Sequence, residues 1–275
     1  MKLYIKNFSS YRDDTDTIDF KKALKQKYRL DTRRQDRFIH LAVYGAQLLK
    51  DKTDIESDDE LYVTSGVGNV DIVQKTNTYM YKENEPLKLF DFINLLGNTT
   101  SYYVAKSLGI KGKNIFQISD NFTYIHTLVS IYASLKNSGK NAIICTIDLQ
   151  SNPDEIVKRV LGVDEDTKVI SSVNYQKLSL KSEGCVAALE FDLHSYTIDE
   201  VEKIVRQSNL KVVSSKRCAE LRYLKDEKFF ETVGSYEINK AVKNAEDILY
   251  IECFEKRYKI IKLKHPKEKQ IEGKM

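Results

Sequence analysis

Between Leu96 and Asp148 the chain runs as helix, strand, sharp turn, helix and strand, with almost no slack between elements. That run limits the folds open to the chain more than any other stretch. Asn98-Thr99-Thr100-Ser101 opens a helix that carries Tyr103, Val104 and Leu108, and Gly109 and Gly112 bracket its end as helix stops do. Asn114 to Ser119 reads as a short buried strand, Asp120-Asn121 as the turn, and Thr123 to Leu135 as a helix that Ser138-Gly139-Lys140 stops. Ala142 to Ile147 is a second buried strand, ending on Asp148. A strand that feeds straight into a helix N-terminus is a place where enzymes set a nucleophile. Unpaired backbone N–H groups and the helix dipole there can lower its pKa or hold an oxyanion.

The flanking segments extend the same alternation. Lys2 to Asn7 predicts an opening strand, and Arg33 to Lys50 predicts a helix with Phe38, Leu41, Ala42, Tyr44 and Leu48-Leu49 on its apolar face. Glu60 to Asn69 reads as a strand ending in small residues. Its Gly66-Val67-Gly68 lacks the third glycine and the following helix of a dinucleotide fingerprint, so a tight turn is expected. Phe90, Phe92, Leu95 and Leu96 suit either a core or a pocket wall. Ser151-Asn152-Pro153 predicts the cap of a short helix from Asp154 to Leu161. Thr197 with Asp199-Glu200 starts a further helix, Leu210 to Ser214 is a strand, and Glu237 to Ala245 is a helix. Asp247 to Phe254 and Arg257 to Lys264 read as a hairpin about Glu255-Lys256, before a basic tail.

Composition removes several function classes. A formal net charge of +4, spread along 275 residues, does not imply a nucleic-acid partner. The four cysteines stand far apart with no C-x-x-C pair, which argues against a zinc site and a disulfide framework and suits a reduced, cytoplasmic setting. The N-terminus has no signal-peptide core, and no apolar run approaches the roughly 20 residues that cross a bilayer. No metal or cofactor is expected.

In order and spacing, "NTTSYYVAKSLGIKG", "NIFQIS", "DNF" and "HTLVSIYASLKNSGKNAIICTID" resemble the N-terminal half of β-ketoacyl synthases. "RRQDRFIHLAVYGAQLL" is similar to an early helix of that family, and "EGCVAALEF" to the strand that closes its first half. The resemblance implies an α/β thiolase-like fold, two similar βαβ lobes in an α-β-α-β-α sandwich, shortened in the second half. Its expected divisions are residues 1–192, residues 193–264 and a tail over residues 265–275.

The family's cysteine nucleophile would fall on Asn121 or Phe122, with Ser119 close by, yet Cys145, Cys185, Cys218 and Cys253 all lie elsewhere. The catalytic histidines would fall near Val212 to Arg222, which holds none, and His40, His126, His194 and His265 stand outside it. Asn239 is the nearest stand-in for a catalytic asparagine. The resemblance therefore implies a non-catalytic subunit of the chain-length-factor type. Such a subunit pairs with an active ketosynthase in fatty-acid or polyketide assembly, with an acyl carrier protein as a further partner. It also implies acyl-pocket candidates Phe122, Tyr124, His126 and Tyr132, and a dimer through the strand Asn141 to Ile147. Two alternatives stay open. An acyltransferase or hydrolase of this fold could use Ser119, with His126 and Asp120, or Cys218, flanked by Lys216 and Arg217. A scaffold unrelated to acyl groups is the other.

Overall fold

Strand pairing follows the apolar pattern and then departs from it at one strand. A computed structural model describes residues 1–150, 155, 158–159, 162–215, 217–218, 221 and 228–266. The strands are β1 (Lys2–Arg12), β2 (Glu60–Ser65), β3 (Asn114–Ile118), β4 (Ala142–Asp148), β5 (Lys168–Val169), β6 (Ser172–Ser179), β7 (Ala187–Phe191), β8 (Lys211–Ser214), β9 (Lys228–Phe229), β10 (Ile248–Phe254) and β11 (Arg257–Lys264). Nine of them form one sheet in the order β3-β2-β4-β6-β1-β7-β11-β10-β8, and β5 pairs with β9.

The long sheet contains the same pattern twice. β2 is parallel to β4, β4 antiparallel to β6, and β6 antiparallel to β1. β8 is parallel to β10, β10 antiparallel to β11, and β11 antiparallel to β7. The halves meet where β1 pairs with β7, from Lys2↔Glu190 to Ile5↔Ala187. Among the described residues the second half has no strand beyond β8 to match β3, which is the expected shortening. "EGCVAALEF" was expected to close the first half. β7 instead occupies the place of β1 in the second pattern, and β6 closes the first. We therefore propose a lobe boundary near residue 185 in place of 192.

Helices fill the layers. Helices α1 (Phe20–Gln26), α2 (Arg37–Lys50) and α5 (Gly97–Leu108) cover the outer face of the first half-sheet, with Leu41, Leu49, Val104 and Leu108 packed on Val63, Ile143 and Ile147. Helices α6 (Thr123–Ser138) and α8 (Val233–Lys243) lie between the half-sheets: Leu128, Ile131, Ile238 and Ala241 share one core with Ile144 and Leu178 on one side and Ile248 and Ile261 on the other. Helix α7 (Ile198–Gln207) covers the far face through Val201, packed with Leu249, Ile251 and Ile260. Two short helices, α3 (Val70–Asn77) and α4 (Leu89–Leu95), pack on each other, and α4 also packs on α5. The result is the expected α-β-α-β-α sandwich. Among the described residues no helix is long and apolar enough to cross a membrane.

Local chemistry explains most boundaries. α2 starts at Arg37 and not Arg33, because the Asp36 side chain accepts from Ile39 N and sets the first turn there. Thr197 and Glu200 form the expected capping box of α7. The β10–β11 hairpin turns on Glu255 (φ 47°) and Lys256 (φ 60°), both left-handed as a two-residue turn requires. The helix expected over Asp154 to Leu161 lies mostly outside the described residues, as does most of the tail.

One strand was not foreseen and one expectation fails, both for the same reason. β6 is central and fully buried, yet it reads Ser-Val-Asn-Tyr-Gln-Lys-Leu-Ser and was not expected from periodicity. Its polar side chains are served individually: Gln176 accepts from Tyr124 Oη at 2.7 Å and donates to Asn239, and Lys177 Nζ donates to Asp54 O at 2.7 Å and lies 3.3 Å from Asp59. The strand at Asn141 to Ile147 was expected at a dimer edge. β4 has β2 on one side and β6 on the other, so both its edges are filled and it cannot extend the sheet into a partner. A continuous apolar run marks a strand buried on both faces, which here is a central one.

Candidate functional site

The turn between β3 and α6 is built as the sequence requires. Ser119 Oγ donates to Asn121 O at 2.7 Å, the Thr123 hydroxyl returns to Ser119 O, and His126 N donates to Phe122 O at 2.9 Å. Phe122 takes the N-cap place of α6 in the left-handed region (φ 46°, ψ 31°), with no side-chain cap. That backbone is rare for a bulky residue and is held only where its surroundings fix it. The ring is 9% exposed and meets Phe254 and His126 at centroid distances of 6.4 and 5.7 Å.

Behind this turn lies a set of buried carboxylates that sequence reading missed. Asp148, at the end of β4, accepts from Ser65 Oγ (3.2 Å) and Gly66 N (2.9 Å) on one oxygen. On the other it accepts from Thr232 N (2.8 Å) and Thr232 Oγ1 (2.7 Å), at the start of α8. One side chain thus ties the two halves together. Burial pushes its pKa up, opposed by the donors from Thr232 and Gly66. The Gly66-Val67-Gly68 turn fits around it: a Cβ on Gly66 would stand 2.2 Å from Glu231 Cβ, and Gly68, at φ 69°, donates its N–H to Ser65 Oγ.

Glu231 is buried, and burial pushes it well above the usual carboxylate range against the pull of Arg217. The Arg217 guanidinium lies 3.0 Å from Glu231 Oε2 and donates to Asp120 O at 2.6 Å. It stands over the rings of Phe229 and Phe254, at 5.5 and 5.6 Å. Glu252, on β10, is pushed up to about 8 by burial, with Arg217 pulling it down. Among the described residues no donor serves its Oε2, so its charged form lacks support there. These groups come from residues 148, 217, 231 and 252 and meet only because the strand order folds the halves together. The one sequence signal was Asp148, an acid closing an otherwise apolar strand.

The expected site residues separate. Ser119 and His126 share no hydrogen bond, since the Ser119 hydroxyl is spent on Asn121 O, so the serine–histidine relay is absent. Burial and the nearby Lys259 charge lower the His126 pKa. Tyr124 is wholly buried in the central core, and Tyr132 packs on Phe191 beside a separate cavity of about 500 Å³ that Met1 and Tyr196 also line. Phe122 and His126 stay together, while Tyr124 and Tyr132 face elsewhere. Cys218 was a candidate because cations flank it. It is fully buried, and its thiol is pushed up by contact with Cys253 and by burial, so it is not an activated thiolate. Cys145 is likewise buried and pushed up. Asn239 donates to Ser9 O, Ser10 Oγ and Tyr175 O inside the core, a structural duty. Among the described residues no group of three His, Cys, Asp or Glu side chains could hold a metal ion.

No family model matches the chain, and no curated protein does. Solved structures do. The ishigamide ketosynthase/chain length factor superposes with a TM-score of 0.68 at 12% identity, covering 90% of this chain and 85% of that one. A type II polyketide synthase acyl-carrier protein in complex with its ketosynthase gives 0.63 at 10% identity, over 95% and 98%. 3-Oxoacyl-(acyl carrier protein) synthase III from Pseudomonas aeruginosa gives 0.54 at 12%, over 97% and 99%. With the doubled strand pattern and the helix-initiating turn in hand, the architecture is that of the ketosynthases and chain length factors: the chain has the thiolase-like fold.

Proposed function

We propose that the chain is a non-catalytic ketosynthase-like subunit, comparable to a chain length factor. It would pair with an active ketosynthase in fatty-acid or polyketide assembly and meet an acyl carrier protein as part of that pair, in the cytoplasm. The observation that carries this reading is Phe122. The left-handed, helix-initiating turn is kept, and the side chain on it is an inert ring packed on Phe254. Arg217 and Glu231 fill the space behind it. Decarboxylative condensation needs a thiolate and donors aimed at an oxyanion, and the turn supplies neither thiol nor paired imidazole. The acyltransferase and hydrolase alternatives lose their footing with Ser119 hydrogen-bonded into the turn and Cys218 buried.

The pairing surface in this reading is the β3 edge. Among the described residues β3 pairs only with β2 and is the least buried strand of its half. Ile118 is 55% exposed, and Phe92 and Leu96 nearby are 50% and 47% exposed. Gly97 packs on Phe116 of β3, which joins those side chains to the strand edge. Open apolar edges invite pairing with another sheet. Co-expression with a cysteine-bearing ketosynthase, followed by analytical ultracentrifugation, tests the proposal. The heterodimer is expected, and Ile118→Lys should abolish it while the isolated chain keeps its stability within about 0.5 kcal/mol, as surface changes do. A chain that stays alone when mixed with ketosynthase and carrier protein would overturn it.

A further inference from the structure

Two cysteines that the proposed function does not use stand against each other. β8 and β10 run parallel with Ser214 opposite Ile251. Past β8 the chain folds back over β10: Ser215 N donates to Ile251 O at 2.9 Å, Cys218 N to Ser215 O at 3.0 Å, and Cys218 Sγ to Ile251 O at 3.5 Å. This turn places Cys218 in the apolar cluster on β10 against which Cys253 packs, with the two thiols close enough to interact. Cys218 is fully buried, whereas Cys253, near the end of β10, is half-buried and so within reach of a small solute. The neighbouring residues repeat the contact, with Arg217 over the Phe254 ring at 5.6 Å. Two side-by-side contacts therefore clasp the same two segments. Neither sulfur is in a disulfide.

We propose that Cys218 and Cys253 are a redox modification site, closing to a reversible disulfide when a hydroperoxide reaches Cys253. Cysteines packed in one cluster on tightly turned segments need little backbone movement to meet disulfide geometry. In the first step the Cys253 thiolate attacks a peroxide oxygen. The O–O bond breaks, hydroxide leaves and takes the released proton as water, and Cys253 becomes a sulfenic acid. In the second step Cys218 Sγ attacks the sulfenic sulfur. The S–S bond forms, the S–O bond breaks, and the departing hydroxide takes the Cys218 proton as a second water. Two thiols lose two electrons and the peroxide gains them. A dithiol reductant reverses the change.

The disulfide would staple the segment carrying Arg217 to β10. Arg217 holds Glu231 and the Asp120 carbonyl, so oxidation would stiffen the wall behind the Phe122 turn. This inference stands on its own contacts and does not require a ketosynthase partner.

The test is intact-mass measurement and peptide mapping of the purified full chain treated with hydrogen peroxide. The wild type and Cys185→Ser should both lose two hydrogens, give a Cys218–Cys253 linked peptide, recover on adding dithiothreitol, and melt at higher temperature when oxidised. Cys218→Ser should leave Cys253 as a sulfenic acid that dimedone traps. Full alkylation of both thiols after peroxide, separate oxygen adducts without a link, or a link through Cys185 would each overturn the proposal.

Discussion

Helices α6 and α8 both begin in the centre of the sandwich, and their first turns are treated in opposite ways. α8 starts under a buried carboxylate from the other half: Asp148 takes both the amide and the hydroxyl of Thr232. α6 starts on Phe122, with no side-chain cap and a strained backbone. A stable interior normally avoids both an uncapped central helix and a bulky left-handed residue. The contrast shows which end is built to hold the halves together; in the proposed reading the other end keeps its shape without its chemistry. Stability should therefore be concentrated at the α8 start, and the hydroxyl of the α6 turn should matter little.

The largest effect is expected from Asp148→Ala. It strands the Gly66 and Thr232 amides in the interior, and at about 1–3 kcal/mol for each lost partner the cost should reach about 3–5 kcal/mol in urea unfolding. A cost below about 1 kcal/mol would break the claim that Asp148 joins the halves.

Next comes a pH dependence that Glu252 sets. Its folded pKa, about 8, lies above its ordinary value of 4.5. The neutral acid therefore favours the fold fully below about pH 4.5, and that contribution drains away as the pH climbs through about 8. Glu252→Gln should flatten this slope, leaving the variant more stable than the wild type near pH 9 by up to about 5 kcal/mol, and the two nearly equal near pH 5. Parallel stability curves for the two proteins would contradict it.

The smallest effect sharpens the other side of the contrast. Ser119→Ala removes one half-buried hydrogen bond and should cost about 1 kcal/mol, with no loss of any acyl-transfer activity measured alongside. A chemical defect out of proportion to that cost would restore Ser119 as a reacting group.

How far the sequence could be read follows from the kind of signal each element carries. The elements of the β3–α6–β4 run were legible because apolar periodicity changes period at small polar residues, from Ser119 to Asn121 and again from Ser138 to Lys140, although β3, read as buried, is the half-exposed edge strand. The capping box at Thr197 and the turn at Glu255-Lys256 were legible because their chemistry is local. β6 was not, because a polar strand is admitted to the centre only by long-range partners such as Tyr124, Asn239 and Asp59. The apolar run of β4 announced burial but not which strands lie beside it, so nothing in it corrected the dimer edge that the resemblance implied there. The carboxylate cluster was invisible for the same reason. Asp148, Arg217, Glu231 and Glu252 become neighbours only once β4 and β10 have taken their places on either side of the two central helices.

The most direct measurement is intact-protein mass spectrometry after incubation with acyl and malonyl thioesters of a carrier protein, with release of carbon dioxide followed in the same samples. An inert Phe122 turn predicts an unmodified mass and no decarboxylation by the chain alone. An acyl group covalently held between Ser119 and Thr123, or carbon dioxide released without a ketosynthase present, would contradict it.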